Sequence, residues 1–394
     1  MPPLHASSTS SMAILPSQPS SSFSLLPLLL FFFVLLCLSN VNSSSASGLD
    51  EEVHAVQARR YSRQTCNLSA GKWVYDSSYP LYDRTCPYLT TAVDCRQNGR
   101  PDSGYEKWRW RPSGCSLPRF NALRFLGSMR GKRIVLVGDS IMRNQWESLV
   151  CLVQGVIPTH RKSVTFRGPS MAFHASDYKT TIVFCWAPLL VELKKEREKG
   201  RVLHLDQIEA NARHWRGADV LVFDSAHWWT HSNQETSWDY YMEGNKIYNR
   251  NLNPMIAYGK GLTTWANWVD SNLNPHQTRV IFRSISPTHN RENGRKCYNQ
   301  REPMAFLGHR HHVPAQMHVL QSVLRRMKFP VYLQDITTMS AYRRDGHPSV
   351  YSKRIGYEEK RHQNQISSAT DCSHWCLPGV PDTWNEMLSA ILMA

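Results

Sequence analysis

Residues 133–153, reading RIVLVGDSIMRNQWESLVCLV, decide the fold. Residues 134–137 are an apolar, β-branched-rich run of strand length. Gly138, Asp139 and Ser140 break it, and Met142, Trp146, Leu149, Val150 and Val153 then recur as one apolar stripe at helical spacing. A strand that ends on Gly-Asp-Ser and runs into a helix sets Ser140 at the helix start, where backbone N–H groups lack partners and the helix dipole favours negative charge. Such a place suits an alkoxide nucleophile and a tetrahedral oxyanion. The plainer alternative is that Ser140 serves as an N-cap and nothing more. Gly138-Asp139-Ser140-Ile141-Met142 lacks the second glycine of a G-x-S-x-G elbow, which argues against an α/β-hydrolase.

Downstream the pattern keeps alternating. Strands are expected over 181–186, 218–223, 279–285 and 331–336, and helices over 205–216, 254–269 and 314–327. The charged run 190–200, LVELKKEREKG, reads as a solvated helix or loop. Strands alternating with helices give an α/β fold: a mostly parallel sheet with helices on both faces, whose sites lie at the C-terminal ends of strands. Ser140 follows one such strand and Asp224 another.

Upstream the composition changes. Residues 1–22 are Ser/Pro-rich without Lys or Arg, and 25–38 is an apolar run shorter than the ~20 residues of a spanning helix. Residues 1–47 are therefore expected to be a signal peptide or a signal anchor, cleaved near the small residues NSSSASG at 42–48 or retained as a type II membrane anchor. Either leads to the lumen of the secretory pathway, endoplasmic reticulum or Golgi. A linker is expected over 48–62, a Cys/Trp-rich N-terminal subdomain over 63–120, and the α/β domain over 121–394. Ten cysteines suit an oxidising lumen; with Cys37 in the apolar run, nine remain, and Cys185 within TIVFCW is the best candidate for a buried free thiol. Eight paired cysteines allow ~105 connectivities, which local sequence does not separate. Asn67 begins a glycosylation sequon.

The formal net charge is +15. In a secretory lumen the fitting polyanion is an acidic polysaccharide rather than nucleic acid, although simple solubility explains the charge as well. Trp108, Trp110 and Arg111, in YEKWRWRP, could stack on sugar rings and pair with carboxylates, or equally turn inward from a surface strand.

Near the C-terminus stands Asp371-Cys372-Ser373-His374-Trp375-Cys376. Asp and His three apart share one side of a turn. His374 as base and Asp371 as the group that fixes its tautomer would complete a nucleophilic set with Ser140. Two other readings are open: Cys372, His374 and Cys376 as zinc ligands, at an unusual spacing, or a disulfide-pinned tail with an incidental histidine. His309-Arg310-His311-His312 looks like a metal tract but suits a solvated loop better, and no metal is expected.

The blocks GDSIMRNQWESL, WRWRPSGCSLPRF, SISPTH, RRDGHPSVYS and DCSHWCLPGVPDTWNEML, in that set, resemble the plant trichome-birefringence-like family of polysaccharide O-acetyltransferases, and most resemble its powdery-mildew-resistance branch, linked with pectin acetylation. The resemblance runs from about Cys66 to the end. It implies an SGNH/GDSL-esterase-like fold, Ser140 as nucleophile, and Asp371 and His374 as its partners. It also implies disulfides Cys66–Cys115, Cys86–Cys151, Cys95–Cys376 and Cys297–Cys372, leaving Cys185 free. Many relatives carry Asn where this chain has Asp224, within VFDSAHWW; an amide donates to an oxyanion and an ionised carboxylate does not. The Ser140 N–H, Arg143 or Ser225 would then take that role, with His227 in the same block as a further substrate contact.

The function implied is transfer of an acetyl group to hydroxyls of a wall polysaccharide through acetyl-Ser140, with pectin (homogalacturonan) as the expected acceptor. Xylan or xyloglucan as acceptor, polysaccharide acetylesterase activity, and a non-catalytic pectin-binding wall protein are the alternatives. No cofactor is expected to be bound. The partners are the acidic polysaccharide and an acetyl donor, which a membrane protein could supply; the sequence carries no CoA or acyl-carrier signature.

Overall fold

The computed structural model describes residues 66–394 except 84, 199, 231–237, 249–251, 290–296, 308–312 and 353–369. The expected leader and linker, and the His309–His312 tract, lie outside the described residues. Along the chain the strands are β1 (Gly71–Tyr75), β2 (Trp108–Pro112), β3 (Arg133–Gly138), β4 (Lys162–Arg167), β5 (Ser170–Ala175), β6 (Thr180–Trp186), β7 (Glu192–Glu196), β8 (Gly200–His204), β9 (Val220–Phe223), β10 (Tyr240–Glu243), β11 (Lys246–Tyr248), β12 (Arg279–Arg283) and β13 (Val331–Gln334). The α-helices are α1 (Ala122–Ser128), α2 (Ser140–Gln154), α3 (Glu209–Ala212), α4 (Pro254–Asn272), α5 (Ala315–Leu324), α6 (Thr337–Ala341) and α7 (Val380–Met393).

The central sheet has the order β13-β12-β9-β3-β6-β5-β4. Strands β13 through β6 are parallel, and β5 and β4 close one edge as an antiparallel hairpin. Both faces of β3 are buried, as its unbroken apolar run requires. Alternation then divides it: Ile134 and Leu136 join one core with Phe125 of α1, Trp146 and Leu149 of α2, and Trp384 and Leu388 of α7. Val135 and Val137 join the opposite core with Trp265 and Val269 of α4 and Leu320 of α5. The α/β reading with helices on both faces holds.

Several elements differ from expectation, among them the antiparallel hairpin β4–β5, which no expected strand covered. Within the run 190–200, β7 is a strand rather than a helix or loop and pairs with β8 in a second sheet of order β11-β10-β8-β7. Its lysines are exposed along an edge strand, where charge blocks further pairing. The helix expected over 205–216 contracts to the single turn of α3, and the chain leaves it through Gly217 at φ 71°. Helix α7, absent from the expected elements, is buried along most of its length.

Residues 66–120 carry little regular structure beyond the β1–β2 ribbon and are stapled to the rest. Cystines join Cys66 to Cys115, Cys86 to Cys151 on α2, Cys95 to Cys376, and Cys297 to Cys372, with Cα–Cα separations of 5.5–5.7 Å. Cys185 is free and buried in β6. No helix of the described residues is long and apolar enough to cross a membrane.

Candidate active site

Strand β3 delivers Ser140 through a turn that needs glycine for space. A Cβ on Gly138 would lie 2.9 Å from the Asp224 carbonyl oxygen and 2.9 Å from the Met142 Cβ. Asp139 caps α2, its Oδ1 accepting the Ile141 N–H at 2.8 Å. The capping work offered above as the plain role of Ser140 therefore falls to Asp139. Ser140 is the first residue of α2, half-buried, and its hydroxyl is available for other bonds.

The hydroxyl meets the C-terminal loop. Ser140 Oγ lies 2.8 Å from His374 Nε2, and His374 Nδ1 lies 2.9 Å from Asp371 Oδ2. The carboxylate accepts, which assigns the ring proton to Nδ1 and leaves the Nε2 lone pair facing the serine hydroxyl. The other oxygen of Asp371 accepts the N–H groups of Ser373 and His374, each at 3.0 Å. Burial alone would raise the Asp371 carboxyl. The hydrogen bond and charge of His374 and those two backbone N–H groups outweigh it and hold the carboxyl well below its ordinary range. The three side chains thus form a relay in which imidazole can take a proton from serine while a fixed negative charge faces the imidazolium.

The loop is held from every side. Cys372 and Cys376 are each bonded to a distant cysteine, which removes the thiolates a zinc site would use. Asn144, one turn along α2 from Ser140, accepts the Trp375 N–H at 2.8 Å and donates to its carbonyl at 3.2 Å. His347 donates from Nδ1 to the His374 carbonyl at 2.6 Å and stacks on Trp375 with centroids 4.1 Å apart. The backbone N–H of His289 donates to the Cys372 carbonyl at 3.1 Å, and its ring meets that of His347. Burial, with the neighbouring His289, pushes His347 well below an ordinary imidazole.

The remaining candidates divide. Arg143, on the same helix face as Ser140, donates from Nε to Glu147 at 2.9 Å, and its terminal nitrogens have no hydrogen bond among the described residues. The Ser140 backbone N–H also has no acceptor among them. Asp224 follows β9 beside Ser140, but it is buried and paired with the buried Arg283, which lies over the Trp384 ring. Burial raises its carboxyl, Arg283 opposes this, and Asp139 adds to the rise. Enclosed against a cation, Asp224 is part of the floor of the site. Ser225 is likewise engaged: it donates to the Pro188 carbonyl at 2.8 Å and accepts the Trp229 Nε1–H at 2.9 Å. His227 is half-buried in the short 3-10 turn after β9.

Trp110 does not offer a ring to sugar: it is 2% exposed in the core, its Nε1–H on the Leu68 carbonyl. Trp108 is half-buried against Tyr75, and Arg111 is exposed, both on β2. No described contact joins this ribbon to Ser140, His374 or Asp371. Asn67 is exposed. The sequence reading gave no role to Asn144, Arg283, His289 or His347, although SISPTH and RRDGHPSVYS hold the two histidines; nothing local reveals pairings across such separations.

Residues 117–391 match the GDSL/SGNH-like acyl-esterase family found in Pmr5 and Cas1p, and residues 64–116 match the PMR5 N-terminal domain. The chain belongs to that PC-esterase family. It is similar to three Arabidopsis thaliana relatives. It is 63% identical to trichome birefringence-like 36 over 349 residues, covering 88% of this chain and 91% of the relative. It is 44% identical to trichome birefringence-like 40 over 335 residues, 83% and 87% of the two chains. It is 40% identical to trichome birefringence-like 38 over 391 residues, 94% and 99%. The family places acyl-ester chemistry on this fold.

Proposed function

We propose that this protein transfers acetyl groups to hydroxyls of a plant cell-wall polysaccharide, with homogalacturonan as acceptor, through an acetyl-Ser140 intermediate. The observation that carries the reading is the Ser140–His374–Asp371 relay, 2.8 and 2.9 Å long, at the C-terminal end of a parallel strand and the N-terminus of α2. His374 Nε2 takes the Ser140 proton as Oγ attacks the donor carbonyl, and the tetrahedral oxyanion forms beside the Ser140 N–H and Arg143. The donor's leaving group departs with the proton from His374, leaving acetyl-Ser140. An acceptor hydroxyl then gives its proton to His374 and attacks the ester; the second collapse returns that proton to Ser140. Asp371 keeps the ring in the tautomer both halves need. The positive net charge supports an acidic acceptor, and the four cystines with the apolar leader support a secretory lumen, with the protein anchored or cleaved.

Mass spectrometry of the protein after exposure to para-nitrophenyl acetate tests the first half: acetyl on Ser140 is expected, and its absence refutes the reading. Galacturonan and xylan oligomers added in parallel test the second. Acetylated galacturonan oligomer supports the proposal, acetylated xylan moves the acceptor, and free acetate alone marks an esterase, since Ser140 is only half-buried and water can reach it.

A further inference from the structure

The sheet rim beside Ser140 carries aromatic surface that the acyl chemistry leaves unused. β3 and β6 are parallel with Gly138 opposite Trp186, and the Ala187 N–H donates to the Gly138 carbonyl at 3.0 Å. Trp186 therefore stands at the same sheet end as Ser140, one strand over, with Cα atoms on the order of 10 Å apart. It shares a sheet face with Ile182 and Phe184, which are 0% and 3% exposed, yet Trp186 is 37% exposed. Its ring meets Trp228 edge-to-face, with centroids 5.3 Å apart and planes at 84°. Trp228 comes from the turn after β9, and β9 and β6 flank β3. The two rings thus meet across the end of the strand that delivers the nucleophile.

The same rim continues into the β4–β5 hairpin. The Pro169 carbonyl at its tip accepts the Trp186 N–H at 2.9 Å. Arg167, on that tip, is exposed and has no carboxylate partner among the described residues. Moving outward along the strand ends, one meets a serine, an aromatic platform and then, at the hairpin tip, an unneutralised cation. The register Arg167–Ser170–Cys185 starts Arg167 on the sheet face opposite Trp186, so its long side chain reaches the rim from around the strand ends. A pyranose offers an apolar C–H face that packs on an indole, and a uronic acid adds one carboxylate per ring.

We propose that Trp186, steadied by Trp228, is the stacking platform for a sugar ring of the acceptor chain, and that Arg167 meets the carboxylate of a uronic-acid residue further out. The polymer then runs from Ser140 across β6 and β5 toward β4. This rests on the acetyl-transfer reading for its purpose, but it makes its own claim about binding. Trp186 fixes the sugar plane, which any pyranose satisfies. Arg167 fixes the charge, which distinguishes galacturonan from a neutral xylan.

The test is calorimetric binding of galacturonic-acid and xylose oligomers to the full chain, without any acetyl donor. Trp186→Ala should weaken the galacturonate oligomer roughly tenfold, and Trp186→Phe should restore most of that loss. Arg167→Ala should weaken it roughly three- to fivefold, less at high salt, and leave the xylose oligomer unchanged. An unchanged Kd in Trp186→Ala overturns the platform. Equal losses for both oligomers in Arg167→Ala overturn the charge contact, and wild-type protein that binds neither oligomer overturns both. A fallen unfolding midpoint in Trp186→Ala, with no rescue by Phe, makes Trp186 a core residue and also overturns the platform. Ser140 acetylation, measured separately, reports on the transfer reading, so the two fail independently.

Discussion

Replacing Asn144 by alanine isolates how the base is held. Asn144 is 1% exposed and Trp375 is fully enclosed. Its amide supplies both an acceptor for the Trp375 N–H, at 2.8 Å, and a donor for the Trp375 carbonyl, at 3.2 Å. Alanine leaves two buried backbone groups without partners, at ~1–3 kcal/mol each with some recovered by relaxation, so a loss of about 2–4 kcal/mol is expected. Global folding should survive, because the cystines at Cys372 and Cys376 still fix both ends of the loop. What moves is His374, whose neighbour has lost its register against α2. A shift on the order of 1 Å between base and nucleophile costs up to about a hundredfold in rate. The assay pairs urea unfolding with initial rates on para-nitrophenyl acetate: kcat should fall ten- to hundredfold, with KM within about twofold of wild type. Wild-type kcat in a variant that has lost the expected stability would show that the loop holds its geometry without α2, and the positioning argument would be wrong.

Asp371→Asn should lower kcat by about three to four orders of magnitude, since an amide no longer fixes the ring tautomer or faces the imidazolium. It should also lower the unfolding midpoint near neutral pH, since the fold favours the ionised carboxylate; rates on the same ester and thermal unfolding check it. Arg143→Ala should cut turnover more than binding, by roughly ten- to hundredfold in kcat, if its free nitrogens face the oxyanion; kcat and KM both near wild type would sink that role. Glu386 is the pH probe. Burial pushes its carboxyl up to about 7, against lowering by the Tyr79 hydroxyl and the Phe120 N–H. A pKa raised in the native state gives stability that is complete below about pH 4.5 and lost as pH climbs through 7, here about 3 kcal/mol. Glu386→Gln keeps an oxygen for both donors and carries no charge to bury, so unfolding midpoints should match wild type near pH 4 and exceed it near pH 8.

What was legible in the sequence was local. The change of apolar period at Gly138 marks the end of β3 and the start of α2, because glycine is needed there by the approach of Asp224 and Met142. Asp371 and His374 announce themselves by being three apart. The edge strand β7 was hidden, because its lysines and glutamates outweigh a weak alternation and its pairing with β8 is set by a turn. Trp110 was ambiguous for a related reason: an alternating Trp/Arg ribbon looks the same in sequence whichever face meets the core. Asp224 with Arg283 and Asn144 with Trp375 are 59 and 231 residues apart. Such pairs are created by topology, so no spacing rule could have named them.

The bond between Cys95 and Cys376 closes over 281 residues. A chain made from its N-terminus at ~5–20 residues per second exposes Cys95 roughly 15 to 60 s before its mate exists. During that interval Cys66, Cys86 and Cys115 are its nearest thiols, and pairing with any of them is a wrong turn that must later be undone by exchange. The loop that carries His374 is therefore not pinned at Cys376 until the last part of the chain has been synthesised. Losing the short tail beyond Cys376 would remove α7, whose Trp384 and Leu388 complete the core that Trp375, next to that last cystine, enters.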